Sequence, residues 1–545
     1  MNTIKTMKPQ KNKFDLSHEV KQTGNMGTLM PCFIQDVIPG DSFRVDTQQL
    51  IRFSPLLAPM MHNVDFKMDY FFVPYRLVWD QWKKFITGAD DYDWQTDTQN
   101  DPPSYPRFEV NGLFRSNYLG KGQLADYLGV PPSLHSAGVE GGGWSFSGTG
   151  NNQKLSALPF RAYQLIYHEY FRDQNVAVEH NQYKTSGILS ATEANATCYL
   201  RNTNWEKDYF TSALPFLQRG GDVNLPITGT LPVNFQAVNS TRVENNNPGV
   251  NFDGNLTSDA APNNYIQVNN TGVSLDSSDN YSVDLADGVQ ITINELRKAS
   301  ALQQWLELMA RAGSRYREQI HAIFGERIPD YTVQIPKYLG GGKTSIMISE
   351  VLSTYQSSNT SASSSATSMA DRPVGDMAGH ALGLGDGIGF TQSFDEHGII
   401  LGLCRVVPKA SYVQGLSRFW QKFDKFDHYF PQFANLGEQE VYNKELYVTG
   451  KTGEDDTIFG YQQRYAEYKY SQNRIAGDFR DTLAHWELSR RFTAHPVLNE
   501  SFIHCNPDDR IFAITDANED KIWMSLYHKV DALRPIPYHS IPSLT

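Results

Sequence analysis

The stretch Val64–Phe72 alternates apolar residues with other residues at a period of two. Its apolar positions are Val64, Phe66, Met68, Tyr70 and Phe72. Successive side chains of a strand point to opposite faces, so this pattern predicts a half-buried β-strand. Pro74 lacks an N–H group and cannot continue a central ladder, so we expect the strand to end there. Residues Trp79–Ile86 then place apolar side chains at steps of three and four, which predicts a short helix ended by Gly88.

Strand-like patterns recur along the rest of the chain and are separated by turn residues. The run Ile399–Val407 is almost continuously apolar, which predicts a strand buried on both faces. Together with Phe390–Phe394 and the turn at 395–398, this run predicts a hairpin. The other predicted strands and turns are a region at 27–53 with turns at Pro31 and Pro39–Asp41, a strand at Ile346–Leu352, a glycine-rich turn at Gly383–Gly389, and a closing hairpin of Arg510–Ile514 and Lys521–Val530.

Two longer stretches have the period of a helix. Ser156–Asp173 is predicted to be capped by Ser156 and to carry an aromatic-rich face. Asn294–Phe324 has a capping residue at its start, Gly325 as a C-terminal cap, and apolar side chains at steps of three or four. We interpret this apolar stripe as a packing face, because such stripes serve packing far more often than cofactor binding.

Repeated strands with helices in their connections predict an all-β core of sandwich or jelly-roll type. The chain has 545 residues, of which 40% are hydrophobic and 20% charged, a composition typical of folded rather than disordered proteins. The strands of such a core need less than half of this length. The fold class is therefore predicted to be mainly β, with long loop and helical insertions.

The formal net charge is −12, whereas a chain whose whole outer surface binds nucleic acid is usually basic, so any contact with nucleic acid must be local. The N-terminal segment 1–26 is the clearest local exception. Its basic residues before the first acid are Lys5, Lys8, Lys11 and Lys13. Two interpretations stay open for this segment: a solvated mobile terminus, or a basic arm that touches nucleic acid or a neighbouring subunit.

Residues 223–290 differ in composition from everything around them. They are dense in Asn, Asp, Ser, Thr and Gly, and Arg242 is their only basic residue. A disordered loop is one interpretation, and an ordered or semi-ordered surface insertion that faces outside partners is the one we favour. The residues predicted as candidates for host contact are Arg242, Asp253, Tyr265, Asp276 and Tyr281.

Motifs of catalysis fail on inspection. His168–Glu169 has no second histidine at the spacing of a zinc protease, since Arg172 stands there. Gly340–Thr344 resembles the end of a phosphate loop, but the first glycine of that motif is replaced by Lys337. The four cysteines lie far apart and are predicted to be free buried thiols. We therefore predict no enzyme activity, no cofactor and no metal. Without a signal-peptide pattern or a long apolar run, we expect a cytoplasm-like compartment.

Several long stretches resemble one protein family. They are Phe14–Ser17, Met60–Trp82 with VPYRLVW, LPFRAYQLIYHEYFRDQN at 158–175, DYFTSALPFLQRG at 208–220, PKYLGGGKTSIMISEVL at 336–352, and FGYQQRYAEYKYSQNRIAGDFR at 459–480. The chain is similar over nearly its whole length to the major capsid proteins of microviruses, which are small tailless single-stranded DNA bacteriophages, and specifically to the gokushovirus branch. These stretches are structural signatures and do not indicate an active site.

The resemblance implies an eight-stranded viral jelly roll with long insertions. It also implies a homo-oligomeric T=1 icosahedral shell of 60 subunits around circular single-stranded DNA, assembled in the bacterial host cytoplasm and found in the virion. The predicted organisation is an N-terminal basic arm (1–26), a first jelly-roll part (27–222), a threefold surface protrusion (223–290), and a second jelly-roll part with an extended C-terminal tail (291–545).

The family also implies partners. These are an internal scaffolding protein during assembly, a DNA pilot protein, a small basic DNA-binding peptide, the packaged single-stranded DNA and a host cell-surface receptor. The basic peptide would explain how a chain of charge −12 tolerates a packaged polyanion. One alternative class is a carbohydrate-binding or carbohydrate-active β-sandwich protein, and the absence of a catalytic pattern argues against the enzyme. A fibre or spike protein is a second alternative, but the sequence contains no shaft repeats.

Overall fold

The structure is a computed structural model that describes residues 10–87, 103–110, 114, 117–132, 153–221, 223, 293–352, 377–514, 516 and 518–539. The chain divides into two compact units. The first consists of Met1–Arg219 and Met309–Thr545, and the second of Gly220–Leu308. Within the second unit, the described part is residues 220, 221 and 223 and a helical stretch that begins at Ile293.

The described strands, in chain order, are β1 (Asn12–Asp15), β2 (His18–Gly24), β3 (Met30–Val37), β4 (Ser42–Phe53), β5 (Val64–Pro74), β6 (Arg107–Val110), β7 (Gln153–Ser156), β8 (Lys337–Ser345), β9 (Met347–Leu352), β10 (Met377–Ser393), β11 (Gly398–Pro408), β12 (Glu438–Tyr442), β13 (Ile458–Gln463) and β14 (Ile522–Arg534).

The described α-helices are α1 (Tyr75–Val78), α2 (Trp82–Thr87), α3 (Leu124–Tyr127), α4 (Leu158–Ile166), α5 (Ala191–Cys198), α6 (Ile293–Ala312), α7 (Tyr316–Phe324), α8 (Asp330–Val333), α9 (Thr452–Asp455) and α10 (Glu500–Ile503). A π-helical turn covers Tyr167–Phe171. Short 3₁₀ turns cover Arg418–Gln421, Lys425–Asp427, Pro431–Phe433, Asn443–Glu445, Ala466–Tyr468, Gly477–Arg480 and Ala484–Trp486.

Two antiparallel sheets form the centre of the first unit. One sheet has the strand order β1-β14-β4-β10-β9, and β2 also pairs with β14. The other has the order β3-β11-β5-β8. Strands that follow one another in the chain mostly alternate between the two sheets, so most connections cross from one sheet to the other. This antiparallel architecture agrees with the predicted mainly-β core.

The sheet β3-β11-β5-β8 separates two hydrophobic cores. On one face, β5 contributes Phe66 and Tyr70 to the core that it shares with the opposite sheet. On its other face, Phe71 and Val73 pack into a second core with α4, which supplies Phe160. The prediction of a strand at Val64–Phe72 that ends at Pro74 is confirmed. The predicted half-burial is wrong, because helical segments from elsewhere in the chain cover the second face.

Strand β11 is buried on both faces, as its apolar run predicted. The predicted hairpin between β10 and β11 is wrong. Strand β10 pairs with β4 and β9, whereas β11 pairs with β3 and β5. The short connection at 394–397 therefore carries the chain from one sheet to the other instead of closing a two-stranded ladder.

The glycine-rich segment Gly383–Gly389 lies inside β10 and is not a turn that enters a strand. The register against β4 shifts between Gly385 and Ile388, which marks a β-bulge. At Gly389, a Cβ atom would lie 1.9 Å from the backbone oxygen of Val45. Glycine is required there because the neighbouring strand leaves no room for a side chain.

The prediction of a closing hairpin is also wrong. Residues 510–514 form no strand, and β14 instead inserts between β4 on one side and β1 and β2 on the other. Pro31 lies within β3 and not at a turn, whereas the turn at Pro39–Asp41 is present, with Gly40 at φ +94. The strand predicted at Ile346–Leu352 is confirmed as β9.

The helix predictions are partly right. The helix predicted at Trp79–Ile86 begins only at Trp82, as α2, because Trp79 is extended and separates it from the unpredicted short helix α1. Ser156–Asp173 contains α4 followed by a π-helical turn. The long helix predicted at Asn294–Phe324 breaks at Gly313, whose φ is +99, and Gly325 caps α7 in the left-handed conformation as predicted.

In the part of the chain that the structure describes, the residues of the apolar stripe of Asn294–Phe324 are half-buried or exposed. In α6 only Ala310, which is outside the stripe, is buried, and α7 has no buried residue. The prediction of free, buried thiols is confirmed for all four cysteines, which are Cys32, Cys198, Cys404 and Cys505. In the part of the chain that the structure describes, no helix has the length and apolar character needed to cross a membrane.

Candidate assembly surfaces

The N-terminal segment does not form a free arm over most of its described length. Strands β1 and β2 pair with successive parts of β14 and so belong to the first sheet. The prediction of an arm over residues 1–26 is therefore wrong for residues 12–24. Lys13 Nζ lies 2.9 Å from a carboxylate oxygen of Asp531, which offsets its charge. Lys11 is exposed just before β1, and Lys5 and Lys8 lie outside the described residues.

The candidates for host contact cannot be placed on any surface of the structure. Arg242, Asp253, Tyr265, Asp276 and Tyr281 all lie outside the described residues, as does the rest of the segment 224–290. The interpretation of this segment as a surface insertion stays a prediction.

One loop of the described chain exposes a group of aromatic side chains that no motif of the sequence marks as a functional site. We call residues Gly415–Leu436 the aromatic loop. It contains three 3₁₀ turns, and none of them has a buried residue. Its exposed aromatic residues range in exposed fraction from 42% for Phe430 to 90% for Phe423. The full set is Phe419, Trp420, Phe423, Phe426, Tyr429 and Phe430.

Hydrogen bonds fix the backbone of the aromatic loop although its rings are exposed. The carboxylate of Asp427 accepts the backbone N–H groups of Phe423 and Asp424, at 3.0 and 2.9 Å. The side-chain amide of Gln421 donates to the backbone oxygen of Leu416 at 2.7 Å. These contacts are the capping bonds that Asp and short polar side chains typically make at turns.

Two cations anchor the aromatic loop to the carboxylates of Glu445, which is buried, and Glu467, which is half-buried. Arg418 Nη1 lies 3.4 Å from Glu445 Oε1, and it donates to the backbone oxygen of Glu440 at 2.5 Å. Lys422 Nζ lies 3.7 Å from Glu467 Oε1 and equally close to the centre of the Tyr468 ring. The two carboxylates come from the turns Asn443–Glu445 and Ala466–Tyr468 and so tie the loop to the body of the first unit.

Burial affects the charge of Glu445, the carboxylate that holds Arg418. Desolvation raises the pKa of Glu445 to about 7, although the positive charge of Arg418 acts in the opposite direction. At Gly415, where the loop begins, a Cβ atom would lie 1.8 Å from the backbone oxygen of Glu445. The loop therefore starts in close contact with the backbone of its own anchor, a contact that only glycine permits.

The residues of the motifs that resembled catalytic sites can be placed in the structure. Among these residues, no three or more His, Cys, Asp or Glu side chains are grouped so that they could hold a metal ion. His168 and Glu169 face Arg315, whose Nε lies 3.6 Å from the Glu169 carboxylate. Burial lowers the pKa of His168 to about 4, so this histidine is neutral at physiological pH.

Comparison with known proteins shows the family to which the chain belongs. A family model described as capsid protein (F protein) matches residues 2–544 of the chain. The chain belongs to this capsid protein family. It is a structural protein of the gokushovirus type of microvirus, as the sequence resemblance indicated.

Three curated members of this capsid family match the chain over almost its full length. The chain is 34% identical to capsid protein VP1 of Chlamydia phage 1, over 99% of this chain and 97% of the relative. It is 32% identical to capsid protein VP1 of Bdellovibrio phage phiMH2K, over 99% and 96%. It is 28% identical to capsid protein VP1 of Spiroplasma virus 4, over 98% and 95%. A capsid protein acts in a multi-subunit shell of the virion, so large exposed apolar surfaces are candidates for contacts between subunits.

Proposed function

We propose that 60 copies of this chain assemble into a T=1 icosahedral shell that encloses circular single-stranded DNA, with an eight-stranded jelly roll as the building block. The observation that carries the proposal is the order of the strands. One sheet contains β2-β14-β4-β10 and the other β3-β11-β5-β8, all antiparallel. Eight strands divided in this way between two facing sheets are typical of the jelly rolls of viral capsids.

The remaining length of the chain has a role in this proposal. Segments between the strands build surfaces outside the sandwich, where neighbouring copies meet. Residues 223–290 form the insertion that we assign to host attachment, with Arg242, Asp253, Tyr265, Asp276 and Tyr281 as contact candidates. Assembly takes place in the host cytoplasm, with a scaffolding protein, a DNA pilot protein and a small basic DNA-binding peptide as partners.

Electron microscopy of particles from cells that produce the whole set of phage proteins tests both parts of the proposal. The natural chain is expected to give small icosahedral particles that adsorb to host cells. A variant that lacks residues 223–290 is expected to give particles of the same size that no longer adsorb. Absence of closed particles with the natural chain would overturn the shell proposal, and normal adsorption by the deletion variant would overturn the attachment proposal alone.

We also propose that the basic N-terminal residues contact the packaged DNA, and the structure allows them to be ranked. Lys13 is paired with Asp531, whereas the described residues contain no ion pair of Lys11. Each cation that contacts single-stranded DNA contributes about 0.7 to the slope of log K against log salt. We expect Lys11→Gln to lower this slope by about 0.7 and Lys13→Gln to lower it by less.

Fluorescence anisotropy of a labelled single-stranded oligonucleotide, titrated with the purified chain at several salt concentrations, measures these slopes. Variants at Lys5 and Lys8 complete the series. Lys451→Gln is the control, since Lys451 is exposed and paired with Glu454 far from β1 in sequence. Identical slopes for the natural chain and the Lys11→Gln variant would remove Lys11 from the proposed DNA contact.

A further inference from the structure

The aromatic loop exposes more apolar surface than an isolated protein usually tolerates. Fully buried aromatic side chains cover about 150–250 Å² each, so the six exposed rings together present roughly 550–900 Å² at their exposed fractions. The largest apolar patch of a typical monomer is about 300–600 Å², and one partner contributes about 800 Å² to a standard protein interface. The patch therefore has the size of one side of a protein–protein contact.

The loop is also ordered before any partner binds. Asp427 caps one of its turns, and the cations Arg418 and Lys422 hold it on Glu445 and Glu467. A surface that keeps its conformation in the free protein loses little conformational entropy on binding. A docking surface requires a fixed backbone that presents exposed rings to a partner. A loop that only connected two elements would not need its backbone fixed in this way.

Charge identifies the kind of partner. The cations Arg418 and Lys422 are offset by carboxylates, and the exposed Lys425 stands beside Asp424 and Asp427. Nucleic acid is bound through cations that are free to meet phosphates, and this loop offers almost none. Two copies of a chain with net charge −12 repel each other over most of their surfaces, so they approach most easily where the local charge is small.

We propose that the aromatic loop is a docking surface for a second copy of this chain within the shell. The proposal rests on the proposed function, because it assigns one contact of the assembled particle. Phe423 is the central residue, since it is the most exposed of the six rings. In the assembled particle its side chain is buried against the neighbouring subunit.

Thiol reactivity gives a direct test, because the four natural cysteines are all buried. A Phe423→Cys variant of the full chain is treated with a maleimide, both as free subunits and as particles. The thiol is expected to react in the free subunit and to be protected in the particle. His428→Cys, in the same exposed loop, repeats the test in case the loss of Phe423 prevents assembly. Val497→Cys is the matched control, at an exposed apolar residue outside the loop.

The outcomes separate the two proposals. Equal reactivity of the loop thiols in free subunits and in particles would overturn the docking surface while the shell proposal stands. Protection of Val497→Cys to the same degree would also count against it, since the reagent would then be excluded by the particle as a whole. Absence of particles with the natural chain would instead overturn the proposed function.

As a second measurement, Phe423→Ala is expected to weaken association of subunits by about ten- to a hundredfold, and unchanged association would contradict the proposal.

Discussion

Replacement of Trp79 by alanine is expected to lower the free energy of unfolding by about 3–5 kcal/mol, the usual cost of deleting a large buried aromatic side chain. Trp79 is fully buried between α1 and α2. Its ring centre lies 5.1 Å from that of Phe85 and 5.5 Å from that of Tyr105. Its Nε1–H donates to Ser186 Oγ at 2.8 Å. The alanine variant would leave a cavity in the second core and would remove the hydrogen bond to Ser186, an exposed residue whose hydroxyl group can bond to water instead.

Trp79→Phe is the matched control for this prediction. It keeps most of the apolar contact and removes the hydrogen bond to Ser186, so we expect a loss of only about 1–2 kcal/mol. Denaturant-induced unfolding, followed by circular dichroism of the purified chain, measures both variants. A loss below about 1 kcal/mol for Trp79→Ala would mean that this site collapses around the smaller residue and that the second core does not depend on the ring.

Strand β5, which lies shortly before Trp79 in the chain, shows which features of this fold local sequence patterns predict. The alternation of apolar residues predicted β5, and Pro74 predicted where it ends. Both signals are local in the sequence. The burial of both faces of β5 depends on α4, which comes from about ninety residues further along the chain. A period of two shows which residues share a face, but it does not show what covers the opposite face. The error in the burial of β5 is therefore an error about distant partners.

The same limit explains the mistaken hairpins. Strands β10 and β11 are adjacent in the chain and separated by a turn, which is the local signature of a hairpin. Strand β10 pairs instead with β4 and with the preceding strand β9, and β11 pairs with β3 and β5, because the connection between β10 and β11 crosses to the facing sheet. The bulge at Gly385–Ile388 and the tight contact at Gly389 likewise depend on β4. Adjacent strands alone do not distinguish a hairpin from such a crossing.

Only the composition of the candidate site, the aromatic loop, could be predicted from the sequence. The excess of aromatic residues in the aromatic loop is visible in the sequence, but their exposure is not. Glu445 and Glu467 anchor Arg418 and Lys422 from positions 27 and 45 residues further along. Arg418 and Lys422 are ordinary basic residues in sequence, so no local signal marks them as partners of these carboxylates. The family resemblance supplied the function, and the structure supplied the surface on which that function can be tested.

Acidification is expected to destabilise the protein through His528, by about 3 kcal/mol between pH 6.5 and pH 4. His528 lies on β14 opposite Thr47 of β4 and His18 of β2, and it is completely buried. Its Nδ1 lies 2.9 Å from Thr47 Oγ1, and its Nε2 lies 3.0 Å from the backbone oxygen of Cys32 on the facing sheet. This geometry favours a neutral ring that accepts from the hydroxyl group and donates to the carbonyl.

Desolvation lowers the pKa of His528 from 6.5 to about 4, and the neighbouring His18 acts in the same direction. The unfolded chain therefore takes up a proton near pH 6.5, whereas the folded chain resists it until about pH 4. Stability from this residue is fully present above pH 6.5 and is lost as the pH falls towards 4. His528→Gln can donate and accept at similar positions but does not titrate, which makes it the matched control.

Unfolding of both proteins by urea at a series of pH values from 7.5 to 4 measures the effect. Groups that do not interact with His528 titrate equally in the two proteins, so their contributions cancel in the difference between the free energies of unfolding. We expect this difference to move by about 3 kcal/mol in favour of the Gln variant as the pH falls. Parallel curves over this range would mean that His528 takes up its proton at the same pH in the folded and the unfolded chain, and that the contacts with Thr47 and Cys32 do not hold the neutral ring. A sheet that is closed around a neutral histidine would thus make the intact sandwich, and any shell built from it, sensitive to acid.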